Sequence, residues 1–136
     1  MPHHARRLLV PLVLFAACGG SDSTPTGPGN GGGDSNPPPT PVPEATIRVQ
    51  NDVFSPEVVA VNKGGTATWI WDGSNHSVVS VLSPAFSPGN SGIHNAPFTF
   101  GPVTFPAAGT YRFICSVHGS SSGNSVGGMA GSVIVQ

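Results

Sequence analysis

Charge is what this chain has least of. Only 8% of its 136 residues are charged, 5 Lys and Arg against 6 Asp and Glu, for a formal net charge of −1. No basic patch exists to neutralise phosphates, which argues against nucleic-acid binding. Cysteine is nearly missing too. Cys18 and Cys115 are the two present, too few for a disulfide framework. The apolar run Leu8 to Phe15 (LLVPLVLF) falls far short of the ~20 residues that span a bilayer. Helix formers are scarce and the apolar segments short, which excludes a helical bundle. Methionine occurs once beyond the initiator, at Met129.

What is abundant is turn-and-linker residue, 19 Gly and 15 Pro, and its distribution divides the chain into three zones. Residues 1–17 read as a secretion signal: Arg6 and Arg7 make a positive start, and Leu8 to Phe15 suits an h-region. The run ends Phe15-Ala16-Ala17-Cys18-Gly19. This resembles a bacterial lipobox, with Cys18 as the lipidated first residue of the mature protein and Phe15 where an aliphatic is usual. A plain secretory signal leaving a free Cys18 is the alternative. From Cys18 to residue 43 the chain reads as linker. Residues 19–43 hold seven Gly and seven Pro, and Val42 is their one large apolar residue. Such a segment cannot bury enough surface to offset its ordering entropy. Its first half reads as flexible and NPPPTPVP as a stiffer polyproline spacer. A lipidated Cys18 would make it a membrane tether.

Residues 44–136 read as the folded domain. Ala45–Val49 alternates. Val58–Val61 is a short apolar strand, followed by a turn at Asn62-Lys63-Gly64-Gly65. Thr66–Trp71 alternates again, with Ala67, Trp69 and Trp71 on one face. Ser77–Leu82, the fragments Phe98–Phe100 and Val103–Phe105, Thr110–Cys115 and Ala130–Val135 complete the set. Seven or eight short strands with turn signals between them predict an all-β, antiparallel β-sandwich.

Within this zone stand one Cys, one Met and three His. Tyr111-Arg112-Phe113-Ile114-Cys115-Ser116-Val117-His118-Gly119 leads through a Ser/Gly loop to Met129; His76 and His94 lie upstream. Strand parity turns Tyr111, Phe113 and Cys115 to one face. Thiolate and thioether are soft donors that favour Cu(I), while imidazole suits both oxidation states. Two imidazoles, one thiolate and a weak axial thioether make a blue-copper site. Zinc is a rival for Cys plus two His, though thioether suits it poorly.

The segments FSPEVVAVNKGGTATWIW, NHSVVS, AAGTYRFICSVHG and GGMAGSVIV together resemble a cupredoxin of the plastocyanin type over nearly all of residues 45–136. The resemblance implies a Greek-key sandwich holding one type 1 copper ion, with His76 and His118 as imidazole ligands, Cys115 as thiolate and Met129 as axial thioether. Two departures stand out. Ten residues, Gly119 to Gly128, separate His118 from Met129, a longer loop than in plastocyanins. Ser77 follows the first histidine where plastocyanins carry Asn, and it retains the capacity to hydrogen-bond the loop holding Cys115. Tyr111 resembles the tyrosine corner of such sandwiches, with plain core filling as the alternative. His94 sits in a Pro/Gly/Asn loop and reads as surface.

These readings predict a monomeric, lipid-tethered carrier of single electrons between extracytoplasmic redox donor and acceptor proteins, in the periplasm or at the cell surface. The alternative is a periplasmic copper-binding or buffering protein; carriers that release copper usually expose Met- or His-rich sites, which a single extra Met does not make. A copper enzyme would need further histidine ligands that His94 alone cannot supply. The zone's charges, Arg48, Lys63 and Arg112 against Glu44, Asp52, Glu57 and Asp72, are nearly balanced. Docking steered weakly by charge follows.

Overall fold

The computed structural model describes residues 37–136. The leader over 1–17, Cys18 and the linker up to residue 36 lie outside the described residues. Among those described there are seven strands and no helix: β1 (Val42–Gln50), β2 (Val53–Ser55), β3 (Val58–Trp71), β4 (Val79–Val81), β5 (Thr99–Thr104), β6 (Gly109–Ser122) and β7 (Ser125–Val135). The all-β expectation stands.

One strand organises the rest. The sequence suggests two strands around a turn at Asn62–Gly65, but β3 runs unbroken through it. Its first part, Val58–Val61, pairs with Ser132–Val135 of β7. Its second part, Thr66–Trp71, pairs with β1 on one side and β5 on the other. The intervening residues keep their backbone bonds while the strand changes neighbours: the Lys63 and Gly64 N–H groups donate to Gln136 and Phe105, and Phe105 N–H donates to Gly65. Two glycines permit this passage. Gly64 has φ +83°, and a Cβ on Gly65 would stand 2.7 Å from the Pro43 carbonyl oxygen. β2 extends the β1 side, while β6 and then β4 extend the β7 side. The result is two layers sharing β3.

The pairing is mixed rather than wholly antiparallel, since β1–β3 and β3–β7 are both parallel. Parallel neighbours need a crossover instead of a hairpin. β2 with the first part of β3 provides one, and the chain from β4 to β6 provides the other. The two fragments flanking Gly101-Pro102 also join, as β5, with a register shift opposite Ala67 and Trp69.

Alternation decides what lies between the layers. Ile47, Val49, Ala67, Trp69 and Trp71 of one layer face Val61, Phe113, Cys115, Val133 and Val135 of the other, all buried. Trp69 is the centre. It stacks on Phe86 at 5.5 Å and meets Phe113 edge-on at 5.3 Å, geometries favoured by the ring quadrupole. Its indole N–H is buried without a partner, so its worth is apolar. Trp69→Ala is expected to cost about 3–5 kcal/mol, measurable by urea unfolding. The Tyr111 hydroxyl donates to the Ala107 carbonyl at 2.9 Å, the tyrosine corner the sequence resembled.

Candidate metal centre

The β6–β7 ladder is regular up to Ile114↔Ala130 and resumes at Gly119↔Gly128. Between those rungs β6 carries Cys115, Ser116, Val117 and His118, and β7 carries Met129 alone. The surplus on β6 must arch out of the sheet. The arch therefore gathers three of the four donor residues expected from the sequence at one place. Beyond it, the Ser/Gly stretch is no open loop. Ser120, Ser121 and Ser122 pair with Gly127, Val126 and Ser125, closing the arch from outside. Glycine is required at both ends of that first outer rung. A Cβ on Gly119 would stand 2.5 Å from the Met129 carbonyl oxygen, and one on Gly128, at φ +69°, would collide with that of His118.

His76 comes from the segment that follows β3. It is held at the backbone from two sides: it exchanges N–H···O bonds with His94 at 3.1 and 2.8 Å, and its carbonyl accepts the Trp71 indole N–H at 3.0 Å. These place its ring over the arch. Cys115 Sγ lies 3.8 Å from His76 Nδ1 and 3.6 Å from His118 Nδ1, and the two Nδ1 atoms are 3.1 Å apart. A single first-row ion bound ~2.0–2.3 Å from nitrogen and thiolate sulfur leaves spacings of this order between its ligands. His76, Cys115 and His118 can thus hold a metal ion. Met129 is 2% exposed and sits across the arch from Cys115 and His118.

The surroundings are unequal. Cys115 is fully buried and His76 is 2% exposed, while the His118 side chain is 33% exposed. Ser77 is also buried. It takes the Ser116 N–H at 2.9 Å and shares a hydrogen bond with the Ser116 hydroxyl at 2.8 Å, and its Oγ lies 4.0 Å from Cys115 Sγ. Serine thus does tie the segment after His76 to the arch. His94 stays apart from the donors. Its ring stacks on Phe98 at 3.5 Å and donates to the Ser91 carbonyl.

Two neighbours escaped the sequence reading. Asn51 and Asp52 form the turn between β1 and β2. Asn51 Oδ1 lies 3.4 Å from His76 Nε2, and Asp52 Oδ1 lies 3.6 Å from His118 Nδ1. An Asn-Asp pair between strands signals a turn, but nothing in its spacing points to residues 76 or 118.

Burial, and then the His118 imidazole, hold His76 below the ordinary histidine pKa, with Asp52 pulling the other way. The unfolded chain therefore takes a proton at His76 more readily than the folded one. Metal-free protein is expected to lose stability as pH falls below about 6.5 and through the lowered value, and to be indifferent to His76 above it. Urea unfolding midpoints between pH 8 and pH 4.5, for wild type and His76→Gln, test this: the variant should lose less on acidification.

No protein-family model matches the chain. The chain is 34% identical over 85 residues to halocyanin of Natronomonas pharaonis, covering 61% of this chain and 48% of the relative. It therefore spans about half the length of the curated relative it matches. The purple cupredoxin of Nitrosopumilus maritimus has the same fold, with a TM-score of 0.53 at 24% identity, over 68% of this chain and 99% of the other. The chain is a cupredoxin by fold. A copper-containing nitrite reductase from Thermus scotoductus also aligns, at TM-score 0.54 and 22% identity, over 72% of this cupredoxin but only 23% of the enzyme. That likeness is one of fold over a fraction of the enzyme's length.

Proposed function

We propose that this cupredoxin is a type 1 copper electron carrier. The observation that carries the reading is the donor triangle: one buried thiolate and two imidazoles, 3.1–3.8 Å apart, at one end of a rigid sandwich. The likeness to halocyanin supports it. His76, Cys115 and His118 are assigned as the strong ligands and Met129 as the axial one. Bound copper would supply a one-electron Cu(I)/Cu(II) couple. The chain's part is to keep the same donor set around both oxidation states. Two β-rungs and the Ser77–Ser116 bonds brace the arch against rearrangement, which keeps reorganisation small. Burial of Cys115 shields the thiolate from oxidants.

His118 is the route in and out, because its ring alone among the three donors reaches solvent. Val117 beside it, Val53 beside Asp52 and Ile93 beside His94 are exposed apolar residues. They suit brief docking of redox donor and acceptor proteins through a small apolar patch. The leader and Cys18 support an extracytoplasmic, lipid-tethered, monomeric carrier, with residues 19–43 as the spacer.

The test is a titration of the metal-free full chain with Cu(II), followed by ascorbate. An intense visible thiolate-to-copper band with narrow copper hyperfine splitting, bleached and recovered through repeated reduction and oxidation, is expected. A colourless complex, or one that cannot be cycled, overturns the reading.

A further inference from the structure

The geometry points to Asn51 as the residue that sets the tautomer of His76 and so aims its metal-binding nitrogen. The inference rests on the copper reading only for its purpose, not for its geometry. A neutral imidazole carries its proton on one of two nitrogens, and the hydrogen bond made by one nitrogen decides which remains free. In His76 the two nitrogens have opposite surroundings. Nδ1 faces Cys115 Sγ and His118 Nδ1; Nε2 faces Asn51 Oδ1 at 3.4 Å. An amide oxygen only accepts. Nε2 must therefore be the N–H, which leaves the Nδ1 lone pair pointing at the sulfur.

The contact between the two histidines argues the same way. Their Nδ1 atoms are 3.1 Å apart, so in the metal-free chain one must donate and the other accept. With His76 Nε2–H committed to Asn51, His76 Nδ1 is the acceptor and His118 Nδ1–H the donor. Asp52 Oδ1, 3.6 Å from His118 Nδ1, favours a proton there.

Asn51 is itself fixed. Its Oδ1 also accepts the Ser74 N–H at 3.4 Å, which orients the amide with oxygen rather than nitrogen toward His76. Gly73 leaves the room: a Cβ there would stand 2.5 Å from that oxygen. The next residue, Asp52, holds φ +63°, a left-handed conformation that non-glycine residues adopt at a cost and that tends to persist at functional sites. The turn is thus shaped to bring two side chains over the metal centre, one to each imidazole.

The experiment uses the 15N-labelled full chain without metal, and reads each imidazole by long-range 1H–15N correlation at pH 7.5. His76 is expected as the Nε2–H tautomer. Asn51→Ala is expected to give a mixture of tautomers and a Cu(I) affinity lower by about 10–100-fold in chelator competition. Asn51→Asp, which keeps an accepting oxygen in place, is expected to restore the single tautomer. Finding His76 as Nδ1–H in the wild type overturns the inference, as does Asn51→Ala with both tautomer and affinity unchanged. Should Asn51→Ala not fold, the wild-type tautomer and the Asn51→Asp spectrum still decide. A wild-type chain that shows the Nε2–H form yet gives no blue band supports Asn51's role while removing the copper reading, so the two fail separately.

Discussion

Replacing Cys115 with alanine is expected to abolish the visible charge-transfer band outright while leaving the fold in place. The band requires sulfur bonded to copper, and Cys115 is the sole cysteine among the described residues. Its side chain is small, so the metal-free variant should lose about 1 kcal/mol. The metal-linked loss is larger. Metal that binds only the folded state adds about 4 kcal/mol at free concentrations a thousandfold above its Kd. The variant should forfeit most of that gain, because the remaining imidazoles hold Cu(II) without the thiolate and compete poorly for Cu(I). Unfolding midpoints with and without copper, beside the visible spectrum, separate the two effects. A variant that keeps both the band and the copper-dependent stabilisation would show that the thiolate is not a ligand.

Gly128→Ala is the second large effect, and it acts on the donors without touching one. The residue stands at φ +69°, and its new methyl group would collide with the His118 carbonyl oxygen across the rung that closes the arch. Left-handed strain and overpacking together are expected to cost about 2–4 kcal/mol. Relief by backbone movement would carry His118 and Met129 apart, broadening the copper hyperfine pattern and weakening the band. Gly123→Ala is the control. Gly123 also has positive φ, +57°, but a Cβ there meets nothing within 4 Å. It should cost only about 1–2 kcal/mol of strain and leave the spectrum alone. Equal effects at the two glycines would mean that the closing rung does not shape the site.

The strands and the donors were legible in the sequence for one reason: both are written in short-range pattern. Alternation turned Ala67, Trp69 and Trp71 inward, and it put Cys115 on the buried side with Tyr111 and Phe113. Cys115 and His118 lie close enough together to be read as one unit. What stayed hidden depends on partners far along the chain. Asn62–Gly65 carries turn residues, and only β7 and β5 show that the strand continues through them. Gly119–Gly128 has the composition of a loop, and its pairing rests on backbone bonds that Ser and Gly neither favour nor forbid. Asn51 and Asp52 hold turn chemistry of their own, and their second role follows from where β1 ends relative to His76.

A strand shared by two layers also constrains how the molecule comes together. Val58–Val61 cannot find its neighbours until Ser132–Val135 has been made, although Thr66–Trp71 can pair with β1 at once. Long-range pairing of this kind slows folding, because loop closure is costly before any contact rewards it. Cys115, His118 and Met129 belong to the same late segment. A nascent chain thus carries its thiol open to oxidants while half of β3 waits, and docking of the final hairpin closes the core and completes the donor set in a single event.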